Sequence, residues 1–298
     1  MAILLQSSPR MSLVSRRRLR AIASKGLVTL LIIPGALLFL APFLWMLSTS
    51  LKSPELVYKF PPQIIPNPVL WENYVEAMTR LPWHVYAWNT IQMTILSLIG
   101  HLLTASLAAY AFSRLRFRGR DIWFFILLST VMLPPQVTLI PTFLIFRYLH
   151  WIDTLKPIWA PDWLGGAPFS VFLLRQFMST LPIEMDEAAR IEGCNYFDIY
   201  WRIILPLIKP ALAAVAIFVF LWCWNDIYYS VIYLNSRANW TLPLGLNYLR
   251  RSDPMHGHRT EMEILMAASV VIMMPCLVIF FLAQRYFIQG IVFTGVKG

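Results

Sequence analysis

The stretch from Leu27 to Leu47 carries no charged residue and is apolar almost throughout. A helix needs about twenty such residues to cross the hydrocarbon of a bilayer. It also satisfies its own backbone groups there, which few other structures do. Four further stretches read the same way: Ala87 to Phe112, Asp121 to Phe146, Pro210 to Leu234 and Ile264 to Phe287. Composition agrees, with 58% hydrophobic and only 13% charged residues, where soluble domains carry about a quarter charged. The expected fold is an all-α integral membrane protein. A signal peptide has an apolar core of about 7–15 residues. The first run is longer, so it reads as an uncleaved span.

Charge placement supplies a sixth span. The chain has a formal net charge of +10, and basic residues flanking spans favour the cytoplasm. Arg10, Arg16, Arg17, Arg18, Arg20 and Lys25 precede the first run, and Arg114, Arg116, Arg118 and Arg120 follow the second. After the third run the chain is outside, yet Arg175, Arg190, Arg202 and Lys209 gather before the next one. A span must therefore lie between Tyr148 and Thr180, strongest over Phe169 to Met178, with Arg175 snorkelling inward at its end. Arg285 and Lys297 then fall inside as well.

The expected organisation is a basic cytoplasmic tail over 1–26, a membrane domain over 27–290 and a cytoplasmic tail over 291–298. The spans lie near 27–47, 87–112, 121–146, 160–178, 210–234 and 264–287. This placement accounts for the basic residues without nucleic acid. The small residues Ala105, Ser106, Ala108 and Ala109 suit close helix packing in lipid. Pro134, Pro135 and Pro141 are expected to bend the third span, opening carbonyls where it lines a cavity.

One cytoplasmic segment, EMDEAARIEGCNYFDIYWRIILP from Glu184 to Pro206, is unlike the rest. Pro182 suits a first helical position, and Glu184, Asp186 and Glu187 favour the helix dipole. Ala188 and Ala189 give a face that approaches another surface closely, and Gly193 is a natural stop. Asn195 is placed to cap a second helix, with Asp198 three residues on in a capping-box-like arrangement, until Leu205-Pro206 breaks it. Two readings fit this pattern: an amphipathic linker on lipid headgroups, or a docking surface for a soluble partner.

Glu187-Ala188-Ala189, Gly193, Ile203 and Leu205-Pro206 resemble the EAA signature of ABC importer permeases at every defining position. The likeness covers nearly the whole chain. Pro42 to Lys52, Asn73-Tyr74, Ala108 to Phe112 and Phe117-Arg118-Gly119-Arg120 resemble stretches of carbohydrate-uptake permeases. So do Pro135-Gln136-Val137, Ile140-Pro141, Phe172 to Phe177 and Trp224-Asn225-Asp226. The tail, Gln284 to Gly290 with Gly295 to Gly298, is similar to that of the smaller permease subunit of maltose-type importers.

The resemblance implies a heterodimer with a second permease subunit in the bacterial inner membrane, both termini cytoplasmic. It also implies two cytoplasmic ATPase subunits, which hold the ATP and Mg, and an extracytoplasmic solute-binding protein that delivers a sugar. No cofactor is expected in this chain. The EAA pair would be the coupling helix: Glu187 its charged contact, Ala188 and Ala189 permitting close approach, Gly193 setting the interhelical angle. Val296, Lys297 and Gly298 would add a second ATPase contact, and the loop from Asn235 to Glu263 would reach the binding protein.

Asp226 is the clearest acid within a span, and such a charge is expensive in lipid. It is expected to face the subunit interface or cavity beside Asn225, either as an interhelical hydrogen bond or in direct sugar contact. Pro135 and Gln136 are further cavity candidates. Cys194, Cys223 and Cys276 form no spaced set, and His256-Gly257-His258 lacks nearby carboxylates or cysteine, so no metal site is expected. No Ser/His/Asp or paired-carboxylate set is evident among the spans, so no intrinsic enzyme is expected. The alternatives are an ion-coupled secondary transporter, which would bring several intramembrane ionisable groups, an ABC permease for a non-carbohydrate solute, and a membrane-anchored assembly protein.

Overall fold

A computed structural model describes residues 13–165, 168–251 and 261–295. The tail residues Val296, Lys297 and Gly298 and the loop pair His256 and His258 lie outside the described residues. Every regular element among the described residues is helical. Helix α1 (Leu13–Thr49) leads to a segment with α2 (Pro54–Val57) and α3 (Glu72–Thr79). Helix α4 (Trp83–Arg114) is the central strut, about 48 Å long at 1.5 Å per residue.

Gly119, at φ 79°, turns the chain into α5 (Arg120–Ser129), followed by α6 (Pro135–Tyr148), α7 (Lys156–Trp163) and α8 (Pro168–Met178). Next come α9 (Glu184–Ile191), α10 (Tyr196–Asp198), a π turn (Ile199–Ile204) and α11 (Leu205–Leu207). The chain ends in α12 (Lys209–Trp224), α13 (Tyr228–Tyr233), α14 (Leu242–Arg251) and α15 (Met262–Gly295).

Among the described residues, three stretches are single helices long and apolar enough to cross a membrane: Val28–Thr49, Trp83–Arg114 and Met262–Gln284. Two more meet that test only as bent pairs. Arg120–Met132 and Pro135–Tyr148 meet at 97°, and Tyr196–Leu207 and Lys209–Trp224 at 77°. The stretch 121–146 is therefore not the single bent helix expected. A residue before proline is pushed out of the α region. Leu133 and Pro134 both precede prolines, and both are extended, at ψ 117° and 134°. Pro141, by contrast, lies inside α6 without ending it.

The stretch 210–234 departs in a similar way. Helix α12 stops at Trp224, and Asn225 to Ile227 separate it from α13. The stretch 160–178 is also two pieces, since α7 ends at Trp163 and α8 begins at Pro168.

Helices α7 and α8 run together alongside α4 in the same direction. Trp163 Nε1 donates to Leu96 O at 2.9 Å, and Thr104 Oγ1 donates to Asp162 O at 2.9 Å. Further along, Arg114 Nη2 donates to Met178 O at 2.7 Å. Gly100 makes this approach possible, because a Cβ there would stand 2.4 Å from the Trp163 ring. The same strut carries Ala105 and Ala109, fully buried, against the inner core of α8 and α12.

At the end of the bundle that holds α2, α3 and the loop before α14, polar side chains tie the loops together. Asn73 Nδ2 donates to Ser50 O and Lys52 O, both at 2.9 Å, and Tyr74 Oη meets Ser50 Oγ at 2.8 Å. Asn89 Nδ2 donates to Ala238 O and Trp240 O at 2.8 and 2.9 Å. The Asp153 carboxylate accepts the backbone N–H groups of Asn235 and Ser236 at 2.9 and 2.8 Å and the Ser236 hydroxyl.

Candidate functional site

The segment 184–206 folds as two short helical pieces joined at Gly193. Helix α9 begins two residues later than a first position at Pro182, with Ile183 as its N-cap, and holds Glu184, Asp186 and Glu187 in its first turn. Its end is a Schellman motif: Cys194 N donates to Ala189 O and Gly193 N to Arg190 O. The motif needs a left-handed residue, and Gly193 sits at φ 90°. Asn195 caps the second piece, Oδ1 accepting from Phe197 N and Asp198 N, both at 2.9 Å. The Asp198 carboxylate turns instead toward Arg202, 3.7 Å away. Pro206 does not end the helix: it lies inside α11, and the bend falls at Ile208. Arg190 Nη2 donates to Tyr196 Oη at 2.9 Å and so braces one piece against the other.

Helix α9 has two faces. Glu187 and Ala188 are exposed, whereas Ala189 and Asp186 are buried. Ala189 therefore packs into its own chain's core rather than offering itself to a partner, as residues three apart share a helix face. Ile203 and Leu205 also pack on that core, while Gly193 and Pro206 are exposed.

The inward face is held by one stripe of α4 at spacing four, Ser106, Tyr110 and Arg114. Ser106 Oγ meets Tyr200 Oη at 2.8 Å, and Tyr110 Oη donates to Tyr196 O at 3.0 Å. Arg114 Nη2 donates to Leu181 O at 3.0 Å as well as to Met178 O. Arg114 Nε stands 3.8 Å from Asp186 Oδ2, with the two side chains only 4% and 11% exposed. Burial pushes the Asp186 carboxyl up from its ordinary range, against the pull of Arg114 and Arg190 and with a push from Glu187. None of these three grips was evident in the sequence, where Ser106 reads as a small packing residue and Arg114 as an orientation charge.

Arg175 is likewise held by protein. Its Nε donates to Phe112 O at 3.2 Å, and its guanidinium lies over the Phe124 ring.

The cavity candidates separate. Asn225 is exposed, and its amide returns to Leu221 O at 2.8 Å. Asp226 does not open beside it. The carboxylate is buried and caps the start of α13, accepting Tyr229 N at 3.2 Å, Ser230 N at 3.0 Å and Ser230 Oγ at 3.1 Å. Pro135 and Gln136 are both exposed at the start of α6.

A Ser/His/Asp set does exist, contrary to expectation. His101 Nδ1 lies 3.0 Å from Asp162 Oδ1, and Nε2 lies 2.8 Å from Ser170 Oγ. Three helices supply the three residues, far apart in sequence, so no local pattern could announce them. Among the described residues no group of three or more His, Cys, Asp or Glu is placed to hold a metal ion.

Residues 101–292 match the family model described as binding-protein-dependent transport system inner membrane component. The chain belongs to that family. The permease is 33% identical to the arabinooligosaccharides transport system permease protein AraQ of Halalkalibacterium halodurans, over 78% of this chain and 81% of that one. It is 30% identical to the sn-glycerol-3-phosphate transport system permease protein UgpE of Yersinia enterocolitica, over 88% and 94%. Its fold matches a chain of a bacterial ABC transporter involved in import of the acidic polysaccharide alginate. That match has a TM-score of 0.76 at 24% identity and covers 94% of the permease and 100% of the other chain.

Proposed function

We propose that this permease is one half of the membrane channel of an ATP-driven importer for a sugar or sugar-like solute, and that a separate ATPase moves it through the α9–α11 pair. The observation that carries this reading is the two-faced α9. Its back, Asp186 and Ala189, is set into the bundle, and its front, Glu187 and Ala188, is bare. A helix held in that way receives force from a partner and passes it inward. Glu187 is the charged contact, suited to an arginine fork. Ala188 lets the partner's surface come close, and Gly193 fixes the turn between the two pieces.

The solute class rests on the relatives named for arabinooligosaccharides and sn-glycerol-3-phosphate. The remaining parts under this reading are a second permease subunit, two ATPase subunits carrying ATP and Mg, and an extracytoplasmic binding protein. The span arrangement is six crossings of the bacterial inner membrane with both termini cytoplasmic, the α7–α8 pair serving as the fourth.

The test is Glu187→Lys in the assembled transporter reconstituted in vesicles. Uptake of labelled oligosaccharide should fall at least tenfold, and less ATPase should purify with a chain still present in the membrane. Normal uptake would remove Glu187 from the docking contact.

An ion-coupled carrier has one observation in its favour, the His101–Asp162 pair at the middle of α4. Uptake that survives ATP depletion but collapses with an ionophore would establish it instead.

A further inference from the structure

The stripe Ser106–Tyr110–Arg114 fastens three different pieces of chain to α4, and only its last member does so with charge. Arg114 gathers three elements. It belongs to α4, one terminal nitrogen takes the carbonyls of Met178 and Leu181 at the end of α8, and its Nε faces Asp186 on α9.

The last of these contacts is incomplete. At 3.8 Å it exceeds hydrogen-bond length. Arg114 Nε and Asp186 Oδ1 are both buried and neither has a hydrogen-bond partner. Buried charged atoms without partners are costly, and a charge-assisted N–H···O bond closes near 2.7–2.9 Å. A movement of α9 toward α4 by about 1 Å would complete the bond. Asp186 immediately precedes the exposed pair Glu187 and Ala188, so pressure on those residues bears on it directly.

We propose that the Arg114–Asp186 pair is the link that passes displacement of the docked helix pair to α4 and the end of α8, which makes Asp186 a positioning residue for transport. The inference rests on the docking role of α9 and goes beyond it. Tyr110 and Ser106 hold the second helical piece to the strut through neutral hydroxyls, and neither has an unmet partner. The ion pair alone has somewhere further to go.

The experiment compares Asp186→Asn and Asp186→Glu in the complete transporter in vesicles, reading ATP consumed per solute moved together with the amount of ATPase that co-purifies. Asp186→Asn should keep its ATPase subunits and raise the ATP consumed per solute at least tenfold. Asp186→Glu, whose longer arm still presents a carboxylate to Arg114, should stay within about threefold of the parent ratio. A parent-like ratio in Asp186→Asn overturns the proposal. Equal impairment in both variants also overturns it, because position and packing would then matter rather than the carboxylate. Loss of the ATPase from Asp186→Asn would make the residue a docking contact, and loss of the chain from the membrane in both variants would make the pair a folding element. Either result overturns transmission. Glu187→Lys, run alongside, reports on docking by itself: if it retains both ATPase and uptake, the reading beneath the proposal fails whatever Asp186 does.

Discussion

His101 and Ser170 meet at 2.8 Å near the midpoint of α4, with Asp162 on the other ring nitrogen. The order of atoms is that of a hydrolase triad. Its surroundings are not: Ser170 is buried between the helices, and the ring and Asp162 are mostly covered, at 14% and 19% side-chain exposure. The arrangement reads as a polar latch across the break between α7 and α8. Ser170→Ala should cost about 1 kcal/mol and His101→Leu about 1–3 kcal/mol, the latter leaving the Asp162 carboxylate without its partner. Thermal unfolding in detergent measures both. A fluorophosphonate probe should leave Ser170 unlabelled, and labelling would refute the latch.

Gly100→Ala attacks the same junction from the apolar side. A methyl group 2.4 Å from the Trp163 ring forces that indole off Leu96 O. Overpacking of this kind costs about 1–3 kcal/mol. A lowered melting temperature with Trp163 fluorescence shifted to the red is the expected result, and an unchanged melt would show that the ring has room to yield.

Gly193→Ala separates strain from crowding. Nothing stands within 4 Å of the added methyl, so the penalty comes from φ 90° alone and should be about 1–2 kcal/mol. Asn195→Ala, which removes an N-cap, should cost about 0.5–2 kcal/mol. Hydrogen exchange over 184–206 reports both, as faster exchange confined to that segment.

The knot that Asp153 makes with Asn235 and Ser236 should respond to acid. Burial works against the Asp153 carboxylate, but hydrogen bonds from the Ser236 side chain and from the backbone of Ser236 and Asn235 outweigh it and hold the pKa below its usual 3.8. A folded value below the unfolded one adds stability above the unfolded pKa and loses it as pH falls through the folded one. Protection of residues 235–241 should therefore be flat from pH 5 to 8, by the ~1-unit width of a titration, and fade below about pH 4. Asp153→Asn should weaken protection at pH 7 and erase the acid step, and an acid step that persists in this variant would assign it to another group.

Much of this was legible in advance. Apolar run length announced α1, α4 and α15, because a long uninterrupted helix depends on local composition. The helix pair around Gly193 was visible for the same reason, down to the Asn195 cap. Two stretches that resemble importer permeases, Pro42 to Lys52 and Asn73-Tyr74, grip one another through Ser50 and Lys52. Several of the misses share one cause. Ser106, Tyr110, His101 and Asp162 have partners far along the chain, so their roles depend on packing. Ala188 and Ala189 were read as one face although adjacent helical residues point about 100° apart. The break at Asn225 to Ile227 lies inside a stretch whose average hydropathy hides it, whereas Pro134 and Pro135 mark the one in the third span.

The π turn at Ile199–Ile204 holds Tyr200, Ile204 and Ile208, four apart and almost wholly buried, on one line toward the core. In a helix of ordinary pitch residues four apart drift by about 40° per step, and the wider winding absorbs that drift. The turn thus works as a vernier between the bundle and the Gly193 elbow. The compass bearing of Glu187 is set from behind, by residues that need never touch whatever Glu187 meets.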